Sequence, residues 1–283
     1  MITNNPMQFK AFIKNKAQEK NISAQLVMQN YMLERLLERI SLSKYRNNFI
    51  IKGGFLISSI VGLDTRTTMD LDTTIKGFTL THESIKEIFK ELCSMDINDD
   101  IKFEIVDVFD IRETDDYPGI RVSLKANYSP ISVPLTVDVT TGDKITPREI
   151  EYTFPLLFDD RSIDVLAYNL ETILAEKIET VLSRGIANTR LRDYYDIYIL
   201  YILRKDQYNH KVLLEALKKT VDKRGSQNIL IDYKDIITSI RESKQLNDFW
   251  IKYQNDYNYA KIISFDEICN TISIIMDTIF NGV

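Results

Sequence analysis

Apolar positions in the first fifty residues recur at helical spacing. Leu26, Leu33, Leu36, Leu37 and Ile40 fall on one side behind Ser23, a residue suited to cap a helix N-terminus. A short lysine-rich helix precedes this one, which reads as a core-packing helix. The period then shortens. Phe49-Ile50-Ile51 reads as a strand, Lys52-Gly53-Gly54 as a turn, Phe55 to Val61 as an apolar helix, and Asp70-Leu71-Asp72 as part of a second strand. Thr81 to Met95 is amphipathic, with Ile85, Ile88, Phe89 and Leu92 on one side. Two strands follow, Lys102 to Ile111 and Ile120 to Asn127, joined through the turn sequence Asp115-Asp116-Tyr117-Pro118-Gly119. In the second, Ile120, Val122, Leu124 and Ala126 alternate with Arg121, Ser123 and Lys125, as in a sheet with one covered and one open face. Val133 to Thr140 alternates likewise, with Leu135, Val137 and Val139 opposite Thr136, Asp138 and Thr140.

Residues 145–165 read as irregular, with Pro147, Pro155 and the pair Asp159-Asp160, so a domain boundary is expected near 160–166. Beyond it the pattern is helical. One helix starts at Asn169-Leu170-Glu171 with Ile173, Leu174, Ile178, Val181 and Leu182 on its apolar face. A second element begins at Asn188. Further helices are predicted over about 209–221, 232–243, 246–258 and 264–280, the last opening with the capping box Ser264-Phe265-Asp266-Glu267. The fold class is therefore α+β: a mixed or antiparallel sheet with flanking helices over residues 1–163, then a helical bundle over 164–283.

Composition narrows the chemistry. At 283 residues, 44% hydrophobic and 27% charged, the chain is of ordinary globular type, and no apolar run approaches a membrane span. The start, MITNNPMQFKAF, lacks the apolar core of a signal peptide, and the only cysteines are Cys93 and Cys269, so a cytoplasmic protein with reduced thiols and no membrane partner is expected. A net charge of −5 argues against nucleic-acid binding over the whole surface, but not against a local basic groove. With only two histidines, His82 and His210, metal chemistry here would rest on carboxylates and magnesium.

The densest chemistry lies between Lys52 and Asp72. In an extended strand Asp70 and Asp72 point to the same face, with Cα atoms about 6–7 Å apart, a spacing at which two carboxylates can share a divalent cation. Gly53 and Gly54 let the backbone bend close to a bulky group such as a triphosphate. Each fragment alone is commonplace. Their order, glycine turn then helix then Asp-x-Asp strand, is the layout of a polymerase-beta-type nucleotidyl-transfer site. Asp138 is either a third carboxylate of such a site or a salt-bridging residue near a sheet edge.

With Lys52-Gly53-Gly54, the run Arg66-x-Thr68-x-Asp70-x-Asp72, Val137-Asp138-Val139, Leu174-Ala175-Glu176-Lys177 and Arg192-Asp193-Tyr194-Tyr195-Asp196-Ile197-Tyr198, the chain resembles the AbiEii/AbiGii nucleotidyltransferase toxins over about residues 25–200. That resemblance implies a toxin of a type IV toxin–antitoxin or abortive-infection (phage-defence) system. Such a toxin transfers nucleotides from an NTP to an acceptor, for some members the 3′ end of tRNA, and so blocks translation. It also implies an antitoxin encoded nearby, without a stable complex. The helical part would complete the active-site cleft.

Combining residues and resemblance, Asp70 and Asp72 would hold Mg2+ (or Mn2+), with Asp138 as a further ligand or base. Lys52, Gly53, Gly54, Arg66 and Thr68 would form the nucleotide pocket, joined by Asp196. Lys177 would contact the β- and γ-phosphates, and Asp193, ahead of Asp196, would orient or deprotonate the acceptor hydroxyl. Without the resemblance, Lys177 and Asp193 read as a salt bridge tying two helices. Arg184, Arg190 and Arg192 would receive RNA phosphates, or form a plain solvated face. Two other functions compete: nucleotide transfer to a protein hydroxyl, and a non-catalytic module that senses NTP and binds a partner.

Overall fold

The computed structural model describes residues 5–111 and 119–281. The expected turn from Asp115 to Pro118 lies outside them. The chain divides into two compact units: Met1–Asp143 with Ile150–Ala167, and Lys144–Glu149 with Tyr168–Val283.

The first unit runs α1 (Pro6–Glu19), α2 (Ala24–Leu42), β1 (Phe49–Lys52), α3 (Gly53–Val61), β2 (Asp70–Ile75), α4 (His82–Ser94), β3 (Lys102–Ile111), β4 (Gly119–Tyr128), β5 (Ile131–Thr141), β6 (Ile150–Pro155) and β7 (Ser162–Ala167). All seven strands form one sheet in the order β3-β4-β5-β2-β1-β7-β6. It is mixed: β1 pairs parallel with β7, β2 parallel with β5, and the other neighbours antiparallel. The core is built from the alternating residues, with Val122, Val137 and Val139 fully buried between their polar neighbours.

Two features depart from expectation. Residues 145–165 are not irregular throughout, because β6 and β7 extend the sheet there. In β7, Ile163, Val165 and Ala167 are buried and alternate with exposed Ser162 and Asp164, a strand signal masked by the flanking prolines and acids. β6 is an edge strand that buries only Phe154, so its alternation is faint, and Pro155 at its end removes no ladder hydrogen bond that an edge must make. The sheet thus continues through Ala167, past residue 163. The second departure is α2. Ser23 Oγ accepts from the Leu26 amide as expected, but the helix is buried on its polar side as well. Arg39 donates to both carboxylate oxygens of Asp99 at 2.8 Å, and Arg35 lies between Glu34 and Glu38. Burial is tolerated because these charges are paired.

The second unit is helical: α5 (Leu170–Arg184), α6 (Leu191–Arg204), α7 (His210–Arg224), α8 (Ile229–Glu242), α9 (Lys244–Asp256) and α10 (Phe265–Asn281). Asn169 caps α5 by accepting from the Thr172 amide, and its amide donates to the Thr146 and Arg148 carbonyls, which ties the segment 144–149 to this unit. The capping box of α10 is formed, with the Ser264 amide donating to Glu267 and the Glu267 amide to Ser264. Ile268, Ile272, Ile275 and Ile279 are its buried stripe. Among the described residues no helix is long and apolar enough to cross a membrane.

Candidate active site

The site in the sheet unit is a row of charged residues across four adjacent strands. Lys52 on β1 stands opposite Asp72 on β2, Asp72 opposite Asp138 on β5, and Asp138 opposite Arg121 on β4. Residues in direct register share a face, so the row carries the charge pattern plus, minus, minus, plus along one surface of the sheet. Asp70, two residues before Asp72, lies on the same face and is exposed, while Leu71 between them is fully buried.

The glycine turn is pressed against this row. Gly53 has φ +66°, and a Cβ there would lie 2.0 Å from Asp72 Oδ2. A Cβ on Gly54 would come within 2.8 Å of Thr68 Oγ1 and 3.0 Å of an Arg66 guanidinium nitrogen. Only glycine allows this approach. The first backbone amides of α3, which starts here, are of the kind that face anions at helix N-termini. Arg66 and Thr68 are buried, and Arg66 donates to the Thr67 carbonyl. α2 fixes the loop from behind: Asn30 donates to the Thr68 carbonyl at 2.8 Å and Gln29 to that of Met69 at 3.0 Å. The polar residues of α2 therefore position the segment that leads into Asp70.

At the two ends of the row the cations are engaged. Lys52 Nζ donates to Thr140 Oγ1 at 2.6 Å and to Asp143 Oδ2 at 2.5 Å. Arg121 donates through Nε and Nη2 to the two oxygens of Asp138, both at 2.7 Å. The hydrogen bonds that Arg121 donates to Asp138 raise the Arg121 pKa above its ordinary value, aided by the charges of Asp138, Asp70 and Asp72. Arg121, Thr140 and Asp143 are missing from the residues singled out in the sequence. The signal for Arg121 was present: counting outward from the hairpin pair Tyr128 and Ile131 brings Arg121 opposite Asp138.

Asp70, Asp72 and Asp138 are hard oxygen donors of the kind Mg2+ and Mn2+ prefer. Yet among the described residues no three His, Cys, Asp or Glu side chains stand together as a preformed metal cage. Both oxygens of Asp138 accept from Arg121. Asp70 and Asp72, on one face of β2, are the donor pair whose chemistry fits such an ion.

The helical unit holds the other predicted residues in a buried ionic cluster. Lys177 Nζ on α5 lies 2.5 Å from Asp193 and 2.9 Å from Asp196, both on α6, and Arg190 Nε lies 2.7 Å from Asp193. Asp193 and Asp196 are almost wholly buried. This is the helix-tying salt bridge that the residues alone suggest. Of the three arginines expected to meet RNA, Arg184 is exposed at the end of α5, Arg190 is drawn onto Asp193, and Arg192 donates to the Tyr257 hydroxyl at 3.0 Å.

Comparisons with known proteins bear on the whole chain. A proposed nucleotidyltransferase from H. pylori superposes with a TM-score of 0.55 at 13% identity, covering 92% of this chain and 97% of that one. JHP933 from Helicobacter pylori gives 0.52 at 14% identity, covering 92% and 94%. At such identity the likeness shows the fold alone, which is that of nucleotidyltransferases. No curated protein sequence matches the chain. The family model described as "Nucleotidyl transferase AbiEii toxin, Type IV TA system" matches residues 35–270. That span takes in the glycine turn, the Asp-x-Asp strand, Asp138 and the Lys177 cluster together, and the protein belongs to the AbiEii nucleotidyltransferase toxin family of type IV toxin–antitoxin systems.

Proposed function

We propose that this protein transfers a nucleotide from an NTP to a hydroxyl of an RNA acceptor, most specifically the 3′ end of tRNA, and thereby blocks translation and growth. The reading is carried by one observation: Asp70 and Asp72 share a face of β2, and the glycine turn lies so close on Asp72 that a Cβ at Gly53 would meet it at 2.0 Å. In the reaction the acceptor oxygen forms a bond to the α-phosphorus, the bond from that phosphorus to the bridging oxygen breaks, and pyrophosphate leaves. Asp70 and Asp72 would hold Mg2+ or Mn2+, with Asp138 as a further ligand. When bound, the ion supplies charge neutralisation for the triphosphate and a lowered pKa at the attacking hydroxyl.

The chain's own residues do the rest. Gly53 and Gly54 admit the phosphates to the backbone amides at the start of α3, and Thr68 and Arg66 border that approach. Lys52 sets the positive end of the row beside Asp72. Lys177 as a phosphate contact, Asp193 as the group that accepts the hydroxyl proton and Asp196 as its neighbour belong to the same reading, as do Arg184, Arg190 and Arg192 as RNA contacts. A cognate antitoxin follows from the family, and it is proposed to act without a stable complex.

The test is a labelling assay with the purified protein and its Asp70→Ala variant, each incubated with Mg2+, total RNA and each labelled NTP in turn. A labelled band of tRNA size with the unaltered protein only is the expected result. Label on protein would move the acceptor to a protein hydroxyl. NTP binding without any label would leave a sensing module and overturn the transferase.

A further inference from the structure

Arg121 has no part in the reaction as described above, yet it closes the charged row. Its side chain is 38% exposed, and that of Asp138 is 16% exposed, so the pair lies where solvent and ligands reach it. A surface ion pair contributes only about 0–1 kcal/mol to stability. β4 and β5 need no such clamp: their ladder runs unbroken from Gly119 opposite Thr140 to Tyr128 opposite Ile131, over buried Val122, Leu124, Leu135 and Val137. What the guanidinium does supply is charge. It places a positive charge among Asp138, Asp70 and Asp72, all three of which act on it, while Lys52 is turned towards Thr140 and Asp143.

We propose that Arg121 is an exchangeable counter-ion of this site, seated on Asp138 while the carboxylates hold no divalent cation and released to the triphosphate of the donor when one binds. This role rests on the nucleotidyl-transfer reading. A divalent ion needs carboxylate oxygens at about 2.0–2.6 Å, and both oxygens of Asp138 already accept from Arg121. Ion and guanidinium, both cationic, therefore compete for the one carboxylate. The guanidinium stays charged at all relevant pH values and matches a phosphate with the same two-pronged geometry as a carboxylate, so it can change partner with no change of protonation. Arg121 is in these terms a positioning residue for the donor, and it keeps Asp138 occupied in its absence.

The experiment follows Mn2+ binding by electron paramagnetic resonance, without nucleotide, in the unaltered protein, Arg121→Gln, Arg121→Lys and Asp72→Asn. NTP affinity in the presence of Mg2+ is measured by calorimetry on the same proteins. Arg121→Gln is expected to bind Mn2+ about tenfold more tightly and NTP about tenfold more weakly, each the equivalent of ~1.4 kcal/mol. Arg121→Lys, which keeps the charge but not the fork, should lose NTP affinity with a smaller gain for Mn2+, and it carries the test if the glutamine variant does not fold. Unchanged or weaker Mn2+ binding by both Arg121 variants overturns the exchange, even where the unaltered protein binds NTP and Mn2+. Absence of Mn2+ binding from every protein, with or without NTP, overturns the nucleotidyl-transfer reading itself.

Discussion

The two charged clusters of this protein are alike in composition and opposite in construction. In the sheet unit, Asp72 and Asp138 are half-buried, Asp70 is exposed, and the cations stand beside them at the open surface of a sheet. In the helical unit, Asp193 and Asp196 are almost fully buried, and Lys177 reaches both from a neighbouring helix. Burial makes the difference. A half-exposed charge can trade its partner for an ion or a phosphate at little cost, whereas a buried charge stripped of its partner loses several kcal/mol. The first cluster exchanges partners at small cost, and in the second the proposed phosphate contact and proton acceptor also join α5 to α6.

The comparison is broken most directly by Asp70→Ala or Asp72→Asn. Transfer should fall at least about a thousandfold, while the melting temperature stays within roughly 2 °C, because Asp70 is exposed and Asp72 only half-buried. Parallel loss of fold in both variants, seen by circular dichroism, would place the row among structural elements instead. Next in size is Lys177→Ala, which leaves two buried carboxylates without that ammonium. Urea unfolding should show a loss of about 3–5 kcal/mol, and an unchanged midpoint would show that the helical cluster is no tighter than the row.

Glu34 asks whether burial, and not the unit, decides. It belongs to the sheet unit, yet burial pushes its pKa up to about 7, with Arg35 and the Leu157 amide only partly offsetting this. A raised pKa in the folded state means that its contribution to stability is complete below about pH 4.5 and is lost as pH rises through 7. Stability should therefore decline over that interval by roughly 3 kcal/mol from this group, and Glu34→Gln should flatten the decline. A profile unchanged by the substitution would assign the slope elsewhere. A smaller loss of stability than at Lys177 is expected at Gly53→Ala, about 1–3 kcal/mol from the left-handed backbone and the close approach of Asp72, read as a lowered urea midpoint together with weakened NTP binding.

Much of the architecture was legible because its signals are periodic. The α10 stripe and the alternation in β4 and β5 are local patterns that tertiary structure merely uses. Asp70 and Asp72 were legible for the same reason, two residues apart on one strand. β6 and β7 were hidden by edge exposure and by prolines that read as breaks. The polar side of α2 was hidden for another cause: Gln29, Asn30 and Arg39 look like a solvated face, and only their distant partners at Met69, Thr68 and Asp99 show that they are buried. Arg121 needed the pairing register as well as the strand. The cluster of Lys177 with Asp193 and Asp196 was visible as a pairing, because Asp193 and Asp196 lie three apart on one helix face.

The strand order has a consequence for the newly made chain. Lys52 and Asp72 meet in the β1–β2 pair, and Asp138 and Arg121 meet in the β4–β5 hairpin, whereas Asp72 meets Asp138 only when β2 docks in parallel on β5. Each half brings a cation to a carboxylate, Lys52 opposite Asp72 and Arg121 on Asp138. The joining step is the long-range one, which forms slowly compared with hairpins. Until β2 docks on β5, the chain therefore holds two separate fragments and no assembled row.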